Sequence, residues 1–219
     1  MFTEHHLWRV STYSIEMPDY DGIKDQLKSF VYDYDKSMKR PQYGDSISHG
    51  IGPHKQRHKH NLSESYPDLF EQDNQAIQQL REFCGSSLMK VVTKLNSAYV
   101  DTDNLGVGFV DSWYHITKDR GYHDYHLHGE TSWCGIFYVD IGDADVYNSN
   151  GVNRFYSPFT VPPLKGLEYI SMTTHDMVPK NGKLIIFPGF LAHSALPYYG
   201  DKDRIVISFN ADIGQVPDD

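Results

Sequence analysis

The most informative stretch of the sequence is Tyr122-His123-Asp124-Tyr125-His126-Leu127-His128-Gly129-Glu130. Successive side chains of a β-strand point to opposite faces, so in a strand Asp124, His126 and His128 share one face. Glu130 joins them if the strand extends that far. The side chains of His126 and His128 start roughly 6 to 7 Å apart at strand spacing, so both imidazoles can reach one metal ion. The stretch therefore predicts a strand that carries two metal ligands.

One metal ion needs a further ligand, and His193 is the candidate. It follows the apolar run Leu184-Ile185-Ile186-Phe187, after a Pro188-Gly189 turn. A single histidine beside a strand is more often an ordinary packed residue than a ligand. The prediction of a three-histidine site therefore depends on the spacing of His126 and His128.

A cationic residue opens the last predicted strand, Arg204-Ile205-Val206-Ile207-Ser208-Phe209-Asn210. Alternation places Arg204, Ser208 and Asn210, together with Val206, on one mainly polar face of the strand. Ile205, Ile207 and Phe209 then form the opposite, apolar face. If the polar face lines a cavity, the planar guanidinium of Arg204 suits a carboxylate ligand. The alternative is a surface salt bridge to Asp201 or Asp203.

The rest of the chain divides into a helical part and a strand-rich part. Apolar residues recur at steps of three or four from Tyr20 to about Ser37 and from Asp68 to Ala98, where Gly85 is expected to bend or interrupt the helix. The segment between them, Arg40 to Tyr66, is predicted to be a long loop. Short aromatic and β-branched runs predict strands near 107–116, 122–128, 132–140, 168–174, 183–188 and 204–210. This order predicts an all-β sandwich or barrel with a helical layer against one sheet.

Composition excludes several classes of protein. The 219 residues carry 20 Lys and Arg against 29 Asp and Glu, a formal net charge of −9 with the 12 histidines neutral. This balance argues against general affinity for nucleic acid or an anionic membrane. Apolar residues at 39% exclude a disordered chain, and no apolar run is long enough to span a bilayer. With only Cys84 and Cys134 and no signal-peptide pattern at the start, we expect one domain, residues 1–219, in the cytoplasm.

Four motifs follow one another in the strand-rich part: His126-x-His128, Cys134-Gly135-Ile136-Phe137-Tyr138-Val139, Gly182-Lys183-Leu184-Ile185-Ile186-Phe187-Pro188 continuing to His193, and Arg204 to Asn210. In this order they resemble the motifs of the 2-oxoglutarate (2OG) and Fe(II)-dependent oxygenases. The resemblance is greatest to the bacterial and phage group related to prolyl 4-hydroxylases, and it covers about Asp111 to Asn210. It implies a double-stranded β-helix, the jelly-roll barrel also found in cupins, over residues 106–212, with residues 1–105 as helical support and loop.

The resemblance also implies the metal ligands. His126 matches the proximal ligand and His193 the distal one, and His128 occupies the place where most members carry an aspartate. The usual arrangement in non-haem iron enzymes is two histidines and one carboxylate. The pair His128 and Glu130 would restore a carboxylate with the register moved by two residues, and this alternative stays open.

The implied co-substrates are 2OG and dioxygen. By resemblance, Arg204 holds the distal carboxylate of 2OG with help from the Tyr138 hydroxyl, and Ser208 is a further contact in the co-substrate pocket. In the family, 2OG is oxidised to succinate and carbon dioxide while a substrate is hydroxylated. Trp113 resembles the family's Trp-x-Asn strand, but His115 stands where asparagine is usual.

Two other functions fit parts of the pattern. A cupin metalloenzyme would explain the histidines, but it has no need for Arg204, and Ser132 and Trp133 occupy the place of the expected cupin glutamate. A jelly-roll binding module with a structural zinc ion would also accept three histidines. Such a module would not require Arg204 or Tyr138.

The identity of the substrate is not readable from the sequence. The region Asn148 to Leu167 is expected to shape the substrate pocket, and a small molecule or a peptidyl substrate is expected there, with a homo-oligomer compatible with the sequence. The basic stretch from Pro53 to Asn61, which holds His54, His58 and His60, is interpreted either as a lid or anion contact or as an ordinary solvated loop.

Overall fold

Two antiparallel sheets enclose a cavity, and two α-helices cover the outer side of the larger sheet. The computed structural model describes residues 10–38, 61–159, 162, 164–168 and 170–216. The elements within these ranges are β1 (Tyr13–Glu16), α1 (Lys24–Ser37), β2 (Leu62–Glu64), α2 (Gln75–Asn96), β3 (Leu105–Thr117), β4 (His123–His126), β5 (Trp133–Asp140), β6 (Asn153–Tyr156), β7 (Thr174–Asp176), β8 (Lys183–Pro188), β9 (His193–Ala195) and β10 (Arg204–Gln215). Short 3-10 turns at Tyr20–Gly22 and Leu69–Glu71 precede the two helices.

The strand order shows how the barrel is formed. The larger sheet runs β1-β8-β5-β10-β3-β2, and the smaller runs β4-β9-β6-β7. Every pairing between these strands is antiparallel. Neighbours such as β5, β10 and β3 are distant in sequence, because the chain crosses repeatedly between the sheets as in a jelly roll. The predicted mainly β fold with N-terminal helices is therefore confirmed.

Alternation along the central strands divides the interior into two apolar clusters. On β10, Ile205, Ile207 and Phe209 join the core between the larger sheet and the helices. Val206, from the opposite face, joins the cluster that the two sheets enclose. The predicted assignment of faces on the last strand is thus confirmed, and the polar residues of that strand lie on the cavity side.

The helices supply the outer apolar layer. Helix α1 buries Leu27 and Val31. Helix α2 begins after Asn74, whose side chain accepts hydrogen bonds from the backbone N–H groups of the first turn. Gly85 lies inside an uninterrupted α2, so the expected interruption of the helix is wrong. A Cβ atom at Gly85 would lie 3.7 Å from the Phe109 ring, an ordinary packing distance, so this part of α2 packs against β3.

The predicted strands are recovered unevenly. The predictions near 107–116, 132–140, 183–188 and 204–210 correspond to β3, β5, β8 and β10. Strands β1, β2, β6 and β9 were not predicted, and each has only three or four residues. Strand β4 ends at His126 with an irregular register, so His128 lies beyond the strand.

The strand predicted at 168–174 is wrong. The backbone N–H groups of Ile170 and Ser171 donate to the carbonyl of Leu167, in a turn, and are not available to a neighbouring strand. Only Thr174 from that segment enters β7.

Within the described ranges, neither helix combines the length and apolar character needed to cross a membrane. The predicted loop Arg40–Tyr66 contains β2 at its end, and its residues 40–60 lie outside the described part of the chain. The histidines of the basic stretch fall in that range.

Candidate metal and anion site

Three histidines converge where β4 and β9 pair. His126 and His193 are direct cross-strand partners, and their ring centroids are 4.2 Å apart. His128 follows in the loop after β4, held by its backbone N–H, which donates to the Gly189 carbonyl at 2.9 Å. Its ring lies 5.0 Å from that of His126 and 5.4 Å from that of His193. One ligand atom from each histidine lies within 4.8 Å of the other two, so the group can hold a metal ion.

Backbone carbonyls orient two of the rings. The Nδ1 of His126 is 2.7 Å from the Asp124 carbonyl, and the Nδ1 of His193 is 3.1 Å from the Leu191 carbonyl. A carbonyl oxygen only accepts, so each Nδ1 carries the proton in the neutral ring and donates. The Nε2 of each ring then keeps its lone pair for a metal, which is the usual arrangement of a metal-ligating histidine.

The electrostatic environment keeps the rings neutral. Burial, together with the neighbouring imidazoles, lowers the pKa of His128 to about 4 and that of His193 to about 3. Burial also lowers the pKa of His126. Because only the neutral ring binds a metal, all three side chains are ready to coordinate at neutral pH.

The carboxylates expected near this group lie elsewhere. Glu130 is exposed in the turn after His128 and is not one of the groups that converge with the histidines. Asp124 is also exposed, and its backbone carbonyl contacts His126. The expectation that Asp124 shares the face of His126 and His128 is wrong, because the register of β4 shifts between His123 and His126.

A second polar cluster supports the first from the neighbouring strands. Glu64 of β2 and His115 of β3 are cross-strand partners, and the Glu64 carboxylate lies 2.6 Å from the His115 Nε2. The His115 ring stacks on His123 at 5.1 Å, and the Nδ1 of His123 is 3.1 Å from that of His126. Ligand atoms of Glu64, His115 and His123 also lie within 4.8 Å of one another. The Glu64–His115 contact has the length of a hydrogen bond. Because His123 contacts both His115 and His126, this cluster helps to hold the ring of His126 in place.

Arg204 lies buried in the same cavity. It is 1% exposed, and its Nη2 donates to the Asn153 Oδ1 at 2.7 Å. The Tyr138 hydroxyl donates to the same oxygen at 2.8 Å, and its ring centroid is 5.5 Å from the guanidinium carbon. Among the described residues Arg204 forms no ion pair, so the alternative of a surface salt bridge to Asp201 or Asp203 is wrong.

At the Arg204 end of the cavity, Arg204 carries a positive charge and Tyr138 is neutral. Burial lowers the pKa of Arg204, but a guanidinium titrates so far above neutrality that it stays charged. Burial raises the pKa of Tyr138 to about 12, so its hydroxyl keeps its proton. A buried cation with a neutral amide as its partner is a binding group for an anion.

The three histidines and Arg204 line the same cavity. It contains about 450 Å³ of empty space, counting its open mouth. Its walls include the three histidines, Arg204 and Asn153, together with Trp113 and Ser208, which are cross-strand partners on β3 and β10. Ser208 thus lies on the cavity wall.

The site contains residues that the sequence pattern did not reveal, Glu64 and Asn153 among them. Asn153 binds both Arg204 and Tyr138, but it belongs to β6, a strand of four residues in a polar segment. Nothing in the spacing distinguishes it from the other asparagines nearby.

The two cysteines do not add a reactive thiol. Both are free and buried, and Cys134 lines the cavity. Burial raises the pKa of Cys134 to about 12, so the thiol stays protonated at neutral pH and is not a ready nucleophile.

Comparison with known proteins agrees with this geometry. Residues 111–210 match the sequence model of the family described as "Putative 2OG-Fe(II) oxygenase". This is the range over which the motifs show their resemblance, so the resemblance is confirmed. No curated protein sequence matches the chain.

Solved structures share the fold at low identity. A Pseudomonas putida prolyl-4-hydroxylase has 12% identity and a TM-score of 0.57, with 92% of each chain covered. A Trichoplax adhaerens prolyl hydroxylase, solved with a peptide fragment of hypoxia inducible factor, has 12% identity and a TM-score of 0.58 over 92% of this chain and 83% of that one. HygX from Streptomyces hygroscopicus, solved with nickel, 2-oxoglutarate and hygromycin B, has 12% identity and a TM-score of 0.58 over 93% and 83%.

Proposed function

We propose that this chain is a 2OG-Fe(II) oxygenase, in keeping with the match of residues 111–210 to that family, and that it hydroxylates a substrate and releases succinate and carbon dioxide. In this proposal His126, His128 and His193 ligate Fe(II). Arg204 binds the distal carboxylate of 2OG, and Tyr138 and Ser208 complete the co-substrate pocket.

The observation that carries the proposal is the buried charge of Arg204, which lies in the cavity of the three histidines and forms no ion pair with the part of the chain that the structure describes. Removing a charged group from water is costly unless it gains an opposite charge. A neutral amide oxygen of Asn153 is the acceptor that holds the guanidinium here. A carboxylate ligand supplies the missing negative charge, and neither a structural zinc ion nor a cupin metal requires such a group.

The roles of the protein follow from the geometry. Bound Fe(II) and 2OG supply the oxidation of an unactivated C–H bond. The three histidines would hold the metal in the cavity that Arg204 also lines. Arg204 orients the co-substrate from the far end of the cavity, and the buried walls exclude water from the reacting groups.

We infer that the substrate is a small molecule or a peptide. Structures with the same fold bind both kinds, a hypoxia inducible factor fragment in one case and hygromycin B in another. The region Asn148 to Leu167 is the candidate for shaping substrate access. Nucleic acid is an unfavourable partner for a chain with a formal net charge of −9.

We also infer that residues 1–219 work as one oxygenase domain. Strands β1 and β2 lie in the N-terminal part, yet they form the two ends of the larger sheet. Glu64 of β2 also supports the metal site through His115. The N-terminal part therefore contributes to the barrel as well as to the helical layer.

An anaerobic titration tests the function. Protein loaded with Fe(II) should develop a visible charge-transfer band on addition of 2OG, and admission of oxygen should then produce succinate. Arg204→Ala should retain the metal and raise the dissociation constant for 2OG by more than about tenfold, because it removes a charge-assisted hydrogen bond. Bound iron without a band or 2OG consumption would instead indicate a cupin-type enzyme or a metal-stabilised binding module.

A further inference from the structure

Glu64, His115 and His123 form a second group of potential metal ligands beside the three-histidine site. One ligand atom from each of them lies within 4.8 Å of the other two. Two imidazoles and one carboxylate suit Zn²⁺ and related divalent transition metals, whereas Mg²⁺ and Ca²⁺ prefer ligands that are all oxygen. The donor types of this group therefore indicate a transition metal.

The contact between Glu64 and His115 points to a cation. The indole N–H of Trp113 donates to the Nε2 of His115 at 3.1 Å, so this nitrogen presents its lone pair. The Glu64 carboxylate, which only accepts when it is ionised, lies 2.6 Å from the same nitrogen. Two acceptor atoms this close repel each other unless a cation lies between them. A metal ion and a shared proton are the two candidates for that cation.

The ring of His123 has one nitrogen available for a metal ion. Burial lowers the pKa of His123, and a hydrogen bond between its ring and the Asp124 backbone acts in the opposite direction. A contact that raises the pKa of an imidazole is one in which the ring donates, so the Asp124 carbonyl is the acceptor. The bonded nitrogen therefore carries the proton of the neutral ring, and the other nitrogen keeps its lone pair.

The three residues lie where the edges of the two sheets meet. Strand β2 ends the larger sheet, and β4 ends the smaller one. Glu64 of β2 is the cross-strand partner of His115 of β3, whereas His123 belongs to β4, which pairs with β9. Among the described strands, β4 has no backbone pairing with β2 or β3. A metal ion held by all three side chains would join the two sheets at an edge that backbone hydrogen bonds leave open.

Small movements would adapt these ligands to an ion. Ligand atoms around a tetrahedral Zn²⁺ ion are about 3.3 Å apart at the usual bond lengths. The Glu64 oxygen must therefore move roughly 0.7 Å away from the His115 Nε2. The Glu64 side chain is 27% exposed, so its carboxylate is free to rotate. His115 and His123 line the cavity, which gives the ion a path of entry.

We propose that Glu64, His115 and His123 bind a second divalent transition-metal ion, with Zn²⁺ as the representative, and that this ion clamps β4 to the larger sheet. The ion is distinct from the one assigned to the three histidines, and the proposal does not depend on 2OG. The Nδ1 of His123 lies 3.1 Å from the Nδ1 of His126. A clamp on His123 therefore also restrains a ligand of the first site.

Titration with Co²⁺ tests for the second ion. The Glu64–His115 contact must open before this ion binds, so we expect dialysis to remove it and to leave one Co²⁺ per chain at the three histidines. Calorimetric titration of the dialysed protein should then fill one further site. Glu64→Gln should raise the dissociation constant of that site by at least about 100-fold, because the only anionic ligand is lost, while the first ion is retained. Glu130→Gln is the matched control, because Glu130 is exposed and outside the cluster, and it should bind both ions.

Two histidine variants separate the sites. His123→Gln should lose the second ion and retain the first after dialysis, whereas His193→Ala should lose the first and still bind the second during titration. Opposite losses of this kind exclude general unfolding as their cause. If the unaltered protein binds no second ion, the Glu64–His115 contact holds a proton and the proposal is overturned. A second ion that survives both Glu64→Gln and His123→Gln is bound elsewhere on the chain, which also overturns the assignment.

The clamp also predicts an effect on stability. An ion that binds only the folded chain stabilises it, so Co²⁺ added to the dialysed protein at roughly a hundredfold excess over the second dissociation constant should raise the thermal midpoint by about 5 °C. Glu130→Gln should show the same rise, and Glu64→Gln should show none. An equal rise in Glu64→Gln would overturn the clamp, because the stabilising ion would then be bound without this carboxylate.

Discussion

His126 and His193 face each other across β4 and β9, with their rings 4.2 Å apart and each Nδ1 bonded to a backbone carbonyl. The two strands have four and three residues, so neither would hold a ligand in place by itself. Their pairing, together with the carbonyl contacts, fixes both rings before a metal arrives. This preorganisation is the basis of the predictions that follow.

His193→Ala should abolish metal binding at the three-histidine site. The substitution leaves two histidines, of which one stands in a loop, and we expect the affinity for Fe(II) or Co²⁺ to fall by at least about 100-fold. Metal content after dialysis measures this. Ser194→Ala is the control, because Ser194 points to the other face of β9 and its hydroxyl contacts Tyr156 at 3.0 Å. Retention of the metal by His193→Ala would contradict the assignment.

Glu130→Gln should leave metal binding unchanged, whereas His128→Gln should weaken it. Glu130 is exposed, and the ring of His128 lies 5.0 Å from that of His126. Titration with Co²⁺ followed by its visible absorption compares the two variants under identical conditions. Weakened binding in Glu130→Gln as well as in His128→Gln would show that the ligand pair is His128 and Glu130.

The metal-free protein should lose stability as the pH falls from about 6.5 to about 4. In this window the unfolded chain protonates its histidines near their ordinary pKa of about 6.5, but burial holds the pKa of His128 at about 4 and that of His193 at about 3. The unfolded state then binds more protons than the folded state, so the free energy of unfolding decreases with falling pH. Below about pH 3 both states are protonated and these groups cause no further loss.

Urea unfolding at several pH values measures this slope. His128→Gln removes one of the titrating rings and should flatten the slope between pH 6.5 and 4. If the free energy of unfolding stays constant or rises as the pH falls from 6.5 to 4, the histidine rings are not desolvated.

Gly135→Ala should destabilise the fold by about 1–3 kcal/mol. Gly135 lies opposite Phe209, and an added Cβ atom would meet the Phe209 ring. That ring is 1% exposed and packs edge-on against Phe109 at 5.2 Å, so it has little room to move. Gly214→Ala on β10 is the control, because no atom lies within 4 Å of its added Cβ, and it should change stability by less than about 0.5 kcal/mol. Equal midpoints in urea unfolding would contradict this packing.

The long strands and the histidine group were accessible to prediction from sequence, for a physical reason. On strand β10, Ile205, Ile207 and Phe209 meet the helical layer, whereas Arg204, Ser208 and Asn210 alternate with them and line the cavity. The motifs around His126, His193 and Arg204 fall on such strands or directly beside them. Their positions therefore follow from local patterns.

The remaining parts depend on contacts between distant segments. Asn153 belongs to the Arg204 end only because β6 is brought to it by the two sheets. Strands of three or four residues, such as β9, are too short to show alternation. The segment before β7 has the composition of a strand, but the backbone N–H groups of Ile170 and Ser171 form hydrogen bonds within a turn. Composition alone does not show which hydrogen bonds a segment forms.

The two outermost strands of the larger sheet, β1 and β2, both come from the first third of the chain. During synthesis they leave the ribosome before β8 and β3, the strands whose free edges they cover. An uncovered strand edge invites pairing with another chain, and short strands at both ends blunt that tendency. The order of the elements along the chain therefore gives this sheet protection against aggregation from the moment it assembles.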